Sequence, residues 1–255
     1  MKIFYTSVIL LLSVSAQAQQ SPLEADRPDQ TESVATVPAK HFQLETGVLY
    51  EKNTIGDEEE KTFTAPSLLA KYGINDRFEL RLIIENSNTE ITQNNSKTTI
   101  SGISPVEIGL KIRLLEEKGI IPATSILIHT AIPKLASNEL QADHFSSRFR
   151  LSMQHTVSRS VSIGYNLGAE WDGVSPEATG IYTLTGGFKL SEKFGAFAEL
   201  FGFVPEKSEA SHSFDCGFTF FMKQNLMFDI SGGFGLNKFA PDYFIGCGFS
   251  FRLPK

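Results

Sequence analysis

Cysteine is nearly absent: the 255-residue chain contains two, Cys216 and Cys247, together with a single tryptophan. That is too few to build the disulfide framework of a small secreted scaffold. No CxxC, HExxH, P-loop or GxSxG pattern occurs, which removes common zinc, nucleotide and serine-hydrolase signatures. Positive charge is also short, with 23 Lys and Arg against 29 Asp and Glu, the reverse of the balance a nucleic-acid binder needs. Past the first residues no apolar run reaches the roughly 20 residues of a membrane-spanning helix, and mean hydropathy is near zero. A helical membrane protein is excluded. A β-barrel is not, because half of its strand residues face a polar lumen.

What is present begins with a leader. Lys2, the apolar stretch from Ile3 to Val14 and the Ala16-Gln17-Ala18 site read as a signal peptide over residues 1–18, cleaved near Ala18. No cysteine follows the cleavage site, so no lipoprotein anchor is expected. Residues 19–40 read as a polar periplasmic segment, and residues 41–255 as the structural domain.

That domain alternates apolar and polar residues in about twelve segments, the period of strands with one apolar face. Phe78, Leu80, Leu82 and Ile84 oppose Glu79, Arg81 and Glu85; Phe149, Leu151 and Met153 oppose Arg148, Arg150 and Ser152. Segments two, five, nine and ten alternate less clearly. Linkers alternate between tight turns, such as Ile74-Asn75-Asp76 and Ser158-Arg159-Ser160, and long stretches such as 53–61, 86–104 and 134–143. The pattern predicts an all-β, antiparallel up-and-down transmembrane barrel of about twelve strands, with short turns and both termini periplasmic. The outer membrane of a Gram-negative bacterium is the expected location. Cys216 and Cys247 fall on the apolar face two strands apart, beyond disulfide reach, and read as small apolar fillers.

Hairpin geometry about Asn75 predicts Tyr72 opposite Phe78 and Lys71 opposite Glu79; about Arg159 it predicts Arg148 opposite Glu170. The inward face carries Glu45, Glu79, Glu85, Glu107, Glu170, Glu199, Asp215 and Asp229, against Lys71, Arg81, Lys111, Arg113, Arg148, Arg150, Lys189 and Arg252. Such a set serves either as a pore lining or as a salt-bridged plug. Asp26, Arg27, Asp29 and Glu32 suit a plug: their acids are expected to bridge lumen arginines, and Arg27 a wall carboxylate. The acidic stretch from Asp57 to Glu60 reads as a solvated loop tip, since contiguous acids lack the spacing of a calcium loop. The 86–104 stretch reads as mobile surface. No metal site and no cofactor are expected.

His144 and Ser146 share one strand face, as in outer-membrane phospholipases and lipid A deacylases, which the chain resembles at these two positions. The register that sends Phe149 and Met153 to lipid turns the pair inward, away from any lipid substrate, so a lipid hydrolase is the least favoured reading. Ala25-Asp26-Arg27-Pro28-Asp29-Gln30-Thr31-Glu32-Ser33, the Tyr72–Glu79 stretch, Ala198-Glu199-Leu200-Phe201-Gly202-Phe203 and Ala240-Pro241-Asp242-Tyr243-Phe244 resemble the meta-pathway phenol-degradation family of outer-membrane barrels, often labelled transporters. The resemblance covers nearly all of the chain past the leader. It implies a passive channel for small, hydrophobic or aromatic solutes, and no enzyme. The chain departs from barrels in general by ending Phe251-Arg252-Leu253-Pro254-Lys255 rather than in an aromatic. A closed structural or adhesion barrel with partner-binding loops competes with the channel. The expected partners are outer-membrane lipid, lipopolysaccharide and the barrel-insertion machinery, with no nucleic acid; the sequence gives neither the solute nor the oligomeric state.

Overall fold

A computed structural model describes residues 22–254; the leader and its cleavage site lie outside the described residues. Antiparallel strands follow one another in chain order: β1 (Phe42–Ile55), β2 (Glu58–Gly73), β3 (Phe78–Gln93), β4 (Ser96–Ile103), β5 (Val106–Leu115), β6 (Ala123–Ile132), β7 (Ser146–Thr156), β8 (Val161–Trp171), β9 (Thr179–Lys189), β10 (Phe194–Pro205), β11 (Ser211–Lys223), β12 (Leu226–Gly235) and β13 (Tyr243–Leu253). Each pairs with the next in chain order except β4 with β5, and β13 returns to pair with β1, so the sheet closes and has no edge along the barrel wall. β4 and β5 pair with successive halves of β3 and share one wall position. The wall is therefore a closed barrel of twelve strands.

The alternation explains why the barrel sits in lipid. Leu80 and Leu167 are 49% and 57% exposed, whereas Glu79 and Asn166, one residue earlier in each strand, are 0% exposed. An apolar exterior around a polar interior inverts the soluble-protein rule and is satisfied only in a bilayer. Cys216 and Cys247 are free and outward, as expected. Pro66 falls where the β2–β3 register shifts between Thr64 and Ser67, a place where the missing donor is tolerated.

The register about Arg159 is as expected, with Arg148 opposite Glu170. About Asn75 it is not: Tyr72 stands opposite Leu80 and Lys71 opposite Arg81, while Glu79 faces Gly73. Asn75 Oδ1 accepts hydrogen bonds from Arg77 N at 2.8 Å and Phe78 N at 3.0 Å. This side-chain cap lengthens the turn and moves the partner by two residues, which leaves every face unchanged.

Two expected loops are strands instead. The 86–104 stretch is not a mobile loop: β3 runs to Gln93 and turns at Asn94 and Asn95, both at positive φ, into β4. The 53–61 stretch is likewise a hairpin, turning at Gly56 and Asp57. Within it Glu59 is not a free acid at a tip, because Lys52 sits 2.7 Å away and Lys61 2.5 Å away. Ser, Thr and Asn in period-two order form ladders when a neighbouring strand is available, and polarity alone hid that here.

Candidate functional site

The inward-facing side chains and the segment before β1 make one site. From Leu23, whose amide donates to Gln224 O in the β11–β12 turn at 3.0 Å, residues 22–40 enter the barrel at its short-turn end. They fold back on themselves and leave at Lys40, whose amide donates to Gly73 O at 2.7 Å. Between these two backbone anchors, wall side chains hold them. Val37 N donates to Glu79 at 2.7 Å, Ser125 Oγ to Val34 O at 2.6 Å, and Arg150 Nη1 to Gln30 O at 2.6 Å. Asn166 Oδ1 accepts from Glu32 N at 2.7 Å.

Asp26 is the electrostatic centre of this lumen segment. Its Oδ2 lies 2.9 Å from Lys71 Nζ and 3.0 Å from Arg81 Nη1, and its Oδ1 lies 3.0 Å from Lys111 Nζ. Asp26 N and Arg27 N both donate to Glu45, which also pairs with Lys71. Glu32 bonds Arg81 at 2.9 Å, and Arg27 bonds Asp229 at 3.0 Å. Asp29 forms no ion pair among the described residues, unlike Asp26 and Glu32. Among the ion pairs of the described residues, Arg81 meets both Asp26 and Glu32, and Lys71 and Lys111 meet Asp26. The lengths of the side chains explain this, because Lys71, Arg81 and Lys111 lie within a few residues of the short turns, at the depth Asp26 reaches.

The remaining inward charges act elsewhere. Arg148 Nη2 pairs with Glu107 at 2.7 Å, and Ser67 Oγ donates to Glu85 at 2.9 Å. Arg113 Nη2 donates to Asp76 O at 2.6 Å in the β2–β3 turn, and Lys189 pairs with Glu192 outside the lumen at 2.8 Å. Glu170 lies opposite Arg148 on the wall. Arg252 is buried near the short-turn end, opposite Gln43. Among the described residues, Asp26, Arg27 and Glu32 supply counter-charges for the lower lumen, and Arg148–Glu107 pairs wall to wall.

Above the plug one side of the lumen is aromatic, which the alternation did not indicate. On β10, Glu199 points inward, so Phe197, Phe201 and Phe203 do too; Phe197 and Phe201 are buried, whereas Leu200 and Val204 face lipid. The Phe201 ring centroid lies 6.2 Å from Phe203 and 6.0 Å from inward-facing Phe244 on β13. Glycine at 233 makes room: a Cβ there would overlap the Phe244 ring. In the twelve-strand ring β13 stands across from β7, and β10 from β3. The aromatic face therefore looks across the lumen at Arg148, Glu107, Glu85 and Glu170.

His144 lies before β7, its amide donating to Gly173 O at 2.9 Å, while Ser146 opposes Ala131 on the lumen side. Among the described residues no group of His, Cys, Asp and Glu is arranged to hold a metal ion.

The family model described as "Putative MetA-pathway of phenol degradation" matches residues 25–253. No curated protein matches the chain. Among solved structures, an outer membrane channel from Pseudomonas putida F1 superposes with a TM-score of 0.67 at 9% identity, covering 87% of this chain and 98% of that one. The translocator domain of the autotransporter NalP from Neisseria meningitidis gives 0.55 at 11% identity, covering 85% and 90%. The CymD monoaromatic hydrocarbon channel gives 0.50 at 10% identity, covering 85% and 88%. At these identities the likeness is one of fold.

Proposed function

The chain belongs to the family described as the putative MetA-pathway of phenol degradation, and on that premise we propose that it is a passive outer-membrane channel for small solutes with an aromatic or otherwise apolar part. The observation that carries this reading is the lumen face built from Phe201, Phe203 and Phe244 opposite a charged wall. A pore for sugars or salts gains nothing from half-buried inward phenylalanines such as Phe203 and Phe244, which expose apolar surface to water. A ring-bearing solute buries that surface, and its polar end meets Arg148 and the facing carboxylates. The CymD name, a monoaromatic hydrocarbon channel, supports the same solute class. In this reading residues 22–40 are a lumen plug that narrows the periplasmic half, and Glu85, Glu107, Arg148 and Glu170 line the path above it.

Geometry speaks against the hydrolase reading: Ser146 faces the lumen, away from lipid, and His144 lies before the strand rather than on its face. The closed-barrel reading draws on one observation, the number of bonds that fasten the plug. Planar-bilayer recording separates the two. An aromatic solute added to the extracellular side should interrupt the ionic current, an aliphatic polyol should not, and the double variant Phe201→Ser, Phe244→Ser should shorten the interruptions. Absence of any current, with or without the plug, would leave the closed barrel.

A further inference from the structure

The lower lumen is filled unevenly. Asp26 and Arg27 fasten the segment to β1, β2, β3, β5 and β12 through Glu45, Lys71, Arg81, Lys111 and Asp229. Space remains on the side of β7 to β11. A cavity of about 740 Å³ opens among the short turns, between Leu23 and the turns at 158–160 and 191–193. A second, of about 230 Å³, lies deeper between the segment and the wall and reaches Thr31. Leu23, Gln154, Ser162, Gly187, Gly195 and Phe221 line both, so the two are continuous. The wall is small here because inward positions carry glycine. Asn166, Thr183 and Glu199 point inward, and strand parity then turns Gly164, Gly187 and Gly195 inward as well. A Cβ at Gly187 would lie 2.6 Å from Ser162 Oγ, and one at Gly164 3.3 Å from Thr31 Cγ2. Side chains there would fill the cavity.

One layer of hydrogen bonds closes the upper end. Thr31 Oγ1 lies 2.6 Å from Thr183 Oγ1 and donates to Glu199, which also accepts from Gln30 N at 2.7 Å. Arg150 Nη1 donates to Gln30 O from the neighbouring wall. Above this layer a further cavity of about 170 Å³ is lined by Glu107, His129, Arg148 and Glu170. Two open spaces are thus parted by the contacts of Gln30 and Thr31. The anchors of the segment lie elsewhere: Asp26 on three cations, Arg27 on Asp229 and Glu32 on Arg81. Hydrogen bonds of this kind exchange at less cost than a buried ion-pair network, so the layer parts before the anchors do.

We propose that solutes cross the lower half of the barrel beside the anchored segment, along the β8–β10 wall, through a passage whose width Gly164, Gly187 and Gly195 set and which Gln30 and Thr31 gate against Thr183 and Glu199. The proposal rests on the channel reading and adds the route to it. Single-channel current in KCl tests it on the whole mature chain, in barrels whose electrophoretic migration shows them folded. Gly187→Leu narrows the passage, because only the Ser162 hydroxyl has to turn aside, whereas Gly186→Leu puts the same side chain on the lipid face one residue away. The first should about halve the conductance or lower it further, and the second should leave it unchanged. Gly195→Val should act as Gly187→Leu does. Thr31→Cys with Thr183→Cys, in a chain also carrying Cys216→Ala and Cys247→Ala, places two thiols where the hydroxyls now meet, within reach of a disulfide. Oxidation should bring the current close to zero, and a reductant should restore it. If Gly187→Leu fails to fold, this pair decides. Equal currents for Gly187→Leu and Gly186→Leu, or a current indifferent to the disulfide, would overturn the passage and leave a conducting channel. No current from the wild type would overturn the passage and the channel together.

Discussion

Arg27 of the plug lies flat over Gly47 and Gly248, which are paired across β1 and β13, and reaches Asp229 Oδ1 at 3.0 Å. A side chain at either glycine would occupy the space of the guanidinium, so this lumen wall is bare where the plug needs it to be. The pairing ties the first turn of the plug to β12, a strand some 200 residues later in the chain.

Replacing Arg27 by Met keeps the length of the side chain and leaves Asp229 buried without its partner. Loss of a charge-assisted bond to a buried group costs about 1–3 kcal/mol. Chemical unfolding in detergent should show a shift of that size, and exposed backbone at residues 22–33 should become more susceptible to proteolysis.

Asp26→Asn should cost more. It removes one carboxylate from Lys71, Arg81 and Lys111 together, and breaking a buried pair costs roughly 3–5 kcal/mol. Unfolding midpoints of Asp26→Asn and Arg27→Met measured side by side check the order. A smaller effect for Asp26→Asn would mean that water already screens the three cations.

Much of this was legible in the chain before any coordinates. Strict alternation on β3, β7 and β8 gives the faces, and the Arg159 hairpin gives its register, because a tight turn leaves no freedom in pairing. The Asn75 hairpin slips by two because an Asx cap adds residues to the turn, and nothing in the apolar pattern reports that. Plug residues Asp26, Arg27 and Glu32 were legible as charges seeking partners. Arg81 for Glu32 and a wall carboxylate, Asp229, for Arg27 are of the expected kinds; that Asp26 also meets Lys71 and Lys111 depends on the depth to which the segment folds, a long-range property with no local signal. The aromatic face went unread for a different reason. Where inward residues are apolar too, a strand such as Phe197 to Val204 shows no alternation, and only the parity set by Glu199 reveals which phenylalanines point inward.

Asp172, just past the end of β8, accepts backbone hydrogen bonds from Ser175 and Val174, both at 2.8 Å. Those amides hold its carboxyl below the ordinary carboxylate range. A folded value below the unfolded one means the turn is stabilised above the ordinary carboxylate range and loses that support as pH falls through the lowered value. The amide signals of Val174 and Ser175 should therefore titrate at lower pH than those next to an unbonded aspartate; titration at the ordinary value would contradict the geometry.

Purified protein should release no fatty acid from phospholipid or lipid A, and Ser146→Ala should change nothing. Hydrolysis by the wild type that disappears in Ser146→Ala would overturn the channel assignment in favour of an enzyme.

Residues 22–40 are proposed to plug an otherwise open lumen. Deleting residues 19–34 exposes Lys71, Arg81 and Lys111 to water in place of Asp26, and leaves the closed wall intact. Single-channel conductance of the folded deletion variant should rise several-fold over the mature protein. Unchanged conductance in a well-folded deletion would contradict the account and reduce the segment to a tether.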